Sequence, residues 1–213
     1  MDMINLDKIE KGQKVDLTKG TKFTKFYFGL GWKAPTKVGG HDYDLDVSAI
    51  LVGADGKILN GDSKNFVFYG LAANQGDPFQ HESGCVKHTG DNMTGDKDGD
   101  DEVLIIDTSL IPAGVEEISV VITIHKADER GQNFGAIKDA KGHIFPANAD
   151  DTPVMGDPNV NFEFDLNEDF SMFTAIQVGS VYTKNGEWKY DNVLQGFKAD
   201  LRGVLTQYGA SVK

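Results

Sequence analysis

The sequence predicts an all-β protein, a two-sheet antiparallel β-sandwich with a few short helices, one of them at the C-terminus. Three observations predict this class. Apolar and polar residues alternate over many short stretches, 25 glycines punctuate the 213 residues, and glycine-containing turns join neighbouring stretches. Short strands at such spacing favour two packed antiparallel sheets over a parallel α/β core. We expect a single domain over residues 1–213.

The strands are predicted from alternation and from the turns between them. In residues 23–32 the aromatic and leucine side chains at alternate positions share one face, as a half-buried strand requires. The turn at residues 54–57 predicts one hairpin, and Asn185-Gly186 predicts another with a type I′ turn. Further strands are predicted at residues 44–52, 65–69, 103–107, 118–125, 161–166, 176–183 and 188–190.

Two other segments complete the predicted fold. Apolar residues at helical spacing, followed by Gly209 as a stop signal, predict a short amphipathic C-terminal helix. Residues 140–161 are rich in proline, aspartate and asparagine, so we expect a long surface loop there. The apolar residues of the helix are Leu201, Val204, Leu205 and Tyr208.

Composition limits the classes of partner. The formal net charge of −12 argues against DNA, RNA or anionic lipid, which reward clustered lysine and arginine, and favours cations. From this charge we expect no nucleic-acid binding. No stretch approaches the length of a membrane-spanning helix, so we also expect no direct membrane insertion. Cys85 is the only cysteine and residues 1–5 lack the pattern of a signal peptide, which together predict a cytoplasmic location.

The densest chemistry lies in residues 91–102, where six of twelve positions are carboxylates. Such a cluster repels itself unless a cation or water screens it. Calcium takes six to eight oxygen ligands, which aspartate, asparagine and main-chain carbonyls of a glycine-hinged loop supply. Asp91 and Glu102 match the ends of an EF-hand loop, but Met93 and Gly95 stand where inner ligands belong. The segment is therefore predicted to be a calcium loop between strands, or else a solvated acidic loop.

A second acidic pair precedes it in the chain. Asp44 and Asp46 are separated by one residue and so project from the same face of a strand. Two carboxylates about 7 Å apart along one face can reach a shared ion or flank two adjacent ions. The pair gains weight only if it meets the acidic loop.

The motifs together resemble one family. Residues 90–95 (GDNMTG) and 99–102 (GDDE) are similar to the acidic signature of TerD-like proteins, a group of tellurium-resistance and stress proteins, and residues 130–135 (RGQNFG) also match. The resemblance spans nearly the whole chain, with residues 140–161 the most divergent. Other matches, in the same order, are residues 11–13, 15–17, 29–32, 44–46, 48–49, 66–69, 124–125, 165–166, 168–169 and 186–189.

The resemblance implies a β-sandwich with calcium sites built by the acidic loop and the Asp-x-Asp strand. We expect two calcium ions, and protein partners that include other members of a stress-response complex. Thr94 and Gly95 would offer main-chain oxygens, and Asp96 and Asp98 lie at variable places of the motif. The other ligands that the resemblance implies are Asp44, Asp46, Asp91, Asn92, Asp100, Asp101 and Glu102.

Motifs for catalysis are missing from the sequence. It contains no G-x-S-x-G elbow, no phosphate-binding loop and no H-E-x-x-H, so no catalytic residue is assigned and we predict that the protein is not an enzyme. Two alternatives stay open. One is a metal-dependent hydrolase that uses the same carboxylates, and the other is a binder of a small ligand such as a cAMP-like nucleotide.

Overall fold

A computed structural model of the protein describes residues 6–33, 40–70, 79–95, 99–166 and 170–210. Within these residues the chain forms thirteen strands in two sheets, with two α-helices and four 3₁₀ turns. The strands are β1 (Asp7–Lys8), β2 (Lys14–Asp16), β3 (Lys25–Lys33), β4 (Leu45–Val52), β5 (Phe66–Val67), β6 (Val86–His88), β7 (Glu102–Asp107), β8 (Glu117–Ile124), β9 (Lys138–Pro146), β10 (Phe162–Asp165), β11 (Ala175–Lys184), β12 (Glu187–Asp191) and β13 (Gln195–Phe197). The helices are α1 (Ala127–Arg130) and α2 (Leu201–Gln207), and the 3₁₀ turns are Leu59–Gly61, Ser63–Asn65, Thr108–Leu110 and Phe134–Ala136.

The two sheets confirm the predicted fold class. Sheet A has the strand order β1-β10-β9-β3-β7-β6, and sheet B has the order β2-β12-β11-β8-β4-β5, with β13 also paired to β11. All pairs of strands are antiparallel except β1 with β10, which is parallel. Among the described residues no helix is long and apolar enough to cross a bilayer.

The main core lies between the sheets and follows the alternation in the sequence. Phe26, Phe28 and Leu30 of β3 in sheet A belong to the same buried cluster as Val47 and Leu51 of β4 in sheet B. Complete burial of one such side chain contributes about 1.5–3 kcal/mol. Because alternate residues face this core, the intervening residues of β3 and β4 face outward, and these positions carry the polar chemistry.

A second apolar cluster lies on the outer face of sheet B, beneath α2. Val204 of the helix packs with Ile50, Val52 and Val121 of the sheet, as the helical spacing predicts. Asp200 caps the helix by accepting a hydrogen bond from Gly203 N at 2.7 Å. The C-terminal helix predicted from the sequence is therefore present.

Tyr208 ties the end of this helix to the sheet, and its removal is testable. The Tyr208 hydroxyl lies 2.7 Å from Ser119 Oγ, and Ser119 is fully buried. Tyr208→Phe leaves Ser119 without its partner, so we expect a loss of about 1–3 kcal/mol in the free energy of unfolding by urea. Tyr182→Phe is the control, because the Tyr182 hydroxyl has no hydrogen bond to any described residue. Equal losses in the two variants would contradict this assignment.

The structure corrects one prediction. Residues 140–161 do not form a continuous surface loop, because β9 occupies Lys138–Pro146 and pairs with both β3 and β10. Gly142 is one reason why the sequence does not predict this strand. A Cβ there would overlap the ring of Phe164 on the neighbouring strand, so the glycine is a packing requirement and not a turn signal. The short strands β1, β2, β6 and β13 were also not predicted, because two or three residues show no alternation.

Candidate metal centre

The centre is built on an open part of the edge of β4. Asp46 lies on β4, and Asp44 is the residue just before this strand. Both side chains face away from the core, because Leu45 and Val47 face into it. The neighbouring strand β5 pairs with β4 only further along, at Ala49 and Ile50. No described strand therefore pairs with β4 on this edge at the two aspartates, and another segment can meet the edge there.

That segment is the acidic loop, residues 90–102. The Val47 N–H of β4 donates to Glu102 Oε2 at 2.7 Å, a hydrogen bond to a loop carboxylate in place of a strand neighbour. The other Glu102 oxygen accepts a hydrogen bond from Asn92 N at 3.3 Å. Glu102 thus connects the loop to the exposed edge of sheet B and brings Asp91 towards Asp44 and Asp46.

Three carboxylates meet at this point. Asp44, Asp46 and Asp91 each offer an oxygen, and these oxygens all lie within 4.8 Å of one another. Asp44 and Asp46 are buried and Asp91 is exposed, so the cluster opens to solvent on one side. Two oxygen ligands on opposite sides of a calcium ion are about 4.6–5.2 Å apart, which is twice the calcium–oxygen distance. The separation therefore suits an ion of this size.

One oxygen of the cluster is unsatisfied in the described part of the chain. Asp44 Oδ1 is buried and has no hydrogen-bond partner there, a costly state for a carboxylate. Among the described residues, the basic side chains nearest to these carboxylates are peripheral: Arg130 Nη1 lies 3.9 Å from Asp44 Oδ2 and His125 Nδ1 lies 3.9 Å from Asp46 Oδ2. A cation bound among the three aspartates would supply the missing partner, so the donor set fits calcium.

Burial and mutual repulsion change the pKa values of these carboxyls. Burial, and then repulsion by Glu102 and Asp44, raise the pKa of Asp46 to about 9. Burial also raises the pKa of Asp44, and Asp91 adds to this while His125 opposes it. These raised pKa values mean that ionisation of the two carboxyls is unfavourable in the ion-free protein, and a bound cation would favour it.

Four other predicted ligand residues form the internal structure of the loop. Asn92 Oδ1 accepts hydrogen bonds from the backbone N–H of Thr94 at 3.1 Å and of Gly95 at 3.3 Å. Its amide donates to Asp101 Oδ1 at 2.9 Å, and Asp101 Oδ2 accepts from Trp32 N at 3.0 Å. These groups give the loop its shape, next to the three clustered aspartates.

Three predicted ligands remain: Asp100, Asp96 and Asp98. Asp100 is half-buried on the outer face of sheet A, where its Oδ1 lies 2.6 Å from His143 Nδ1, and it is not part of the aspartate cluster. Asp96 and Asp98 lie outside the described residues. The structure therefore brings together Asp44, Asp46 and Asp91 and separates them from Asp100.

Several residues near the centre were not predicted as members of it. Buried His88 accepts a hydrogen bond from Gly90 N on Nδ1 at 3.1 Å, so its Nε2 carries the proton and faces Glu102 Oε2 at 3.5 Å. His125 and His143 are also in contact with acidic residues. The sequence gives no signal for these contacts, because each histidine lies on a different strand or turn from the aspartate or glutamate that it meets.

These features define a class of protein: a two-sheet β-sandwich in which an acidic loop from one sheet meets an Asp-x-Asp strand of the other. Comparison with known proteins agrees. The chain belongs to the TerD domain family, whose domain matches residues 6–208.

The relatives are similar in length to this chain. "General stress protein 16U" of Bacillus subtilis is 40% identical over 205 residues, which cover 96% of this chain and 97% of the relative. "Tellurium resistance protein TerD" of Serratia marcescens is 40% identical over 202 residues, which cover 94% and 96%. "Uncharacterized protein YceE" of Bacillus subtilis is 42% identical over 205 residues, which cover 96% and 98%. The resemblance stated from the motifs is confirmed.

Solved structures share the fold. A homologue of telluride resistance protein (TerD), SCO6318 from Streptomyces coelicolor A3(2), superposes with a TM-score of 0.64 at 16% identity, over 89% of this chain and 99% of that one. The protein SAV2460, of unknown function, superposes with the same TM-score at 19% identity, over 90% and 100%. At these identities the comparison supports the sandwich architecture alone.

Proposed function

We propose that this protein is a calcium-binding member of the tellurium-resistance and stress-response family that acts in the cytoplasm through metal-dependent protein contacts, and that it is not an enzyme. One observation carries the proposal. Three carboxylates from two separate segments converge within 4.8 Å, and one oxygen of the buried Asp44 lacks a protein partner in the described residues. A hard cation with several oxygen ligands satisfies both features.

The loop also offers a reason for contacts that depend on the metal. Met93 lies within it and is 63% exposed, so its apolar side chain is accessible to a partner. An ion bound at Asp91 would restrain the loop on the N-terminal side of this residue, and Asn92 Oδ1 holds the backbone N–H groups of Thr94 and Gly95 on the other side. Calcium would then present Met93 in a fixed position to a protein partner.

Calorimetric titration with calcium tests the proposal. We expect binding with a dissociation constant of about 10⁻⁶–10⁻⁴ M. For Asp44→Asn or Asp91→Asn we expect a dissociation constant at least tenfold higher, because each variant loses a charged ligand. The fitted stoichiometry tests the expectation of two ions. Glu116→Gln is the matched control, since it removes an exposed carboxylate beyond the far end of β4. Absence of any heat at millimolar calcium would refute the proposal.

A further inference from the structure

Asp100 is the one described carboxylate of the acidic loop that turns towards the outer face of sheet A. Its carboxylate lies 2.6 Å from His143 Nδ1 on β9, and its side chain is only 8% exposed. Asp100 also contacts Tyr27, whose pKa is raised by burial and by this carboxylate. The contacts of Asp100 with His143 and Tyr27 are therefore contacts with residues outside the aspartate cluster.

The sequence makes room for this contact with two glycines of β3. A Cβ at Gly29 would overlap the Asp100 carboxylate, and a Cβ at Gly31 would lie 2.9 Å from the carbonyl oxygen of Gly99. Both positions face outward, because Leu30 between them lies in the core. The Gly-x-Gly pattern of β3 is therefore the surface on which Gly99 and Asp100 of the acidic loop rest.

The residues next to Asp100 are placed by the same contact. Asp101 N donates to Leu30 O at 2.7 Å, and Asp101 Oδ2 accepts from Trp32 N at 3.0 Å. Glu102 follows and reaches Val47 on the other sheet. If Asp100 moved away from His143 and Gly29, the groups that hold Asp91 in the cluster would therefore move as well.

We propose that Asp100 anchors the acidic loop and is not an ion ligand, and that His143 is a positioning residue of the calcium centre. This inference rests on the proposed function. His143 is itself held in place, because its ring stacks on Phe145 at 5.8 Å and its Nε2 lies 4.0 Å from Glu163 Oε2. The row Asp100, His143 and Glu163 crosses sheet A above Gly29, directly behind the loop.

Calcium titrations of paired variants test the roles. His143→Leu removes the donor and leaves every candidate ligand intact, so we expect a dissociation constant about tenfold higher, as for other groups that orient metal ligands. In His143→Asn the amide replaces Nδ1, and we expect a constant within about threefold of the wild type. Asp100→Asn keeps an acceptor for His143 and should also stay within about threefold. Glu116→Gln, at an exposed site beyond the far end of β4, is again the control.

Three results of these titrations would overturn the proposal: an unchanged constant in His143→Leu, no rescue by asparagine, or loss of binding in Asp100→Asn as severe as in Asp44→Asn. Hydrogen exchange of the ion-free protein gives an independent reading. In His143→Leu the Asp101 amide should exchange about tenfold faster, and unchanged protection would also overturn the proposal. If the wild type binds no calcium, the proposed function fails, and the exchange measurement still decides whether His143 anchors the loop.

Discussion

Asp46→Asn is expected to remove most of the calcium-induced rise in melting temperature without lowering the stability of the ion-free protein. The Asp46 carboxyl is buried among Glu102, Asp44 and Asp91, which raises its pKa to about 9. At neutral pH it is therefore uncharged in the ion-free protein, and a neutral amide can replace it without the loss of a favourable charge. In the wild type, calcium at a hundredfold its dissociation constant stabilises the folded state by about 2.7 kcal/mol. This corresponds to a rise of about 5–10 °C for a chain of this size.

Scanning calorimetry in chelator and in excess calcium measures both parts of this prediction. Glu116→Gln serves as the control, because it makes the same change from carboxyl to amide at an exposed site and should keep the full calcium response. A full response in Asp46→Asn would show that Asp46 is not a ligand. A lower melting temperature of that variant in chelator would show that the Asp46 carboxyl makes structural hydrogen bonds instead.

Calcium affinity is expected to increase with pH, by up to about tenfold per unit between pH 6 and 8. The folded-state pKa of Asp46 is about 9, above its ordinary value of 3.8, so the ion-free protein carries a proton there at neutral pH. The ion must displace this proton, which couples binding to pH. Titration in buffers with different heats of ionisation should reveal the release of about one proton per ion at pH 7.

The raised pKa of Asp46 also predicts how the stability of the ion-free protein changes with pH. Because the folded-state pKa lies above the unfolded value, the stabilisation from this proton is fully present below about pH 4 and is lost as pH rises towards 9. In chelator the contribution of Asp46 to the melting temperature should therefore decrease across this range, and saturating calcium should flatten the decrease. An affinity that does not change with pH and binding without proton release would contradict the raised pKa.

Much of the fold was predictable because local pattern and burial agree. Alternation in residues 23–32 and 118–125 predicts β3 and β8, and the helical spacing near the C-terminus predicts α2. Asn185 and Gly186 have positive φ angles of 56° and 79°, as the predicted type I′ turn requires. The sequence did not predict β9, because the contacts that explain its glycine and its charged residues are with strands that are distant in the sequence.

The sequence by itself determined the family, the sandwich class, the acidic loop and the aspartate pair, because these depend on residue types at short, regular spacings. The tertiary structure alone decided which carboxylates meet. It joins Asp91 to Asp44 and Asp46 across the gap between the sheets, and it turns Asp100 towards His143 on the opposite side. The physical reason is that adjacent loop residues can point to different sheets, so a run of acidic residues does not specify a common ion.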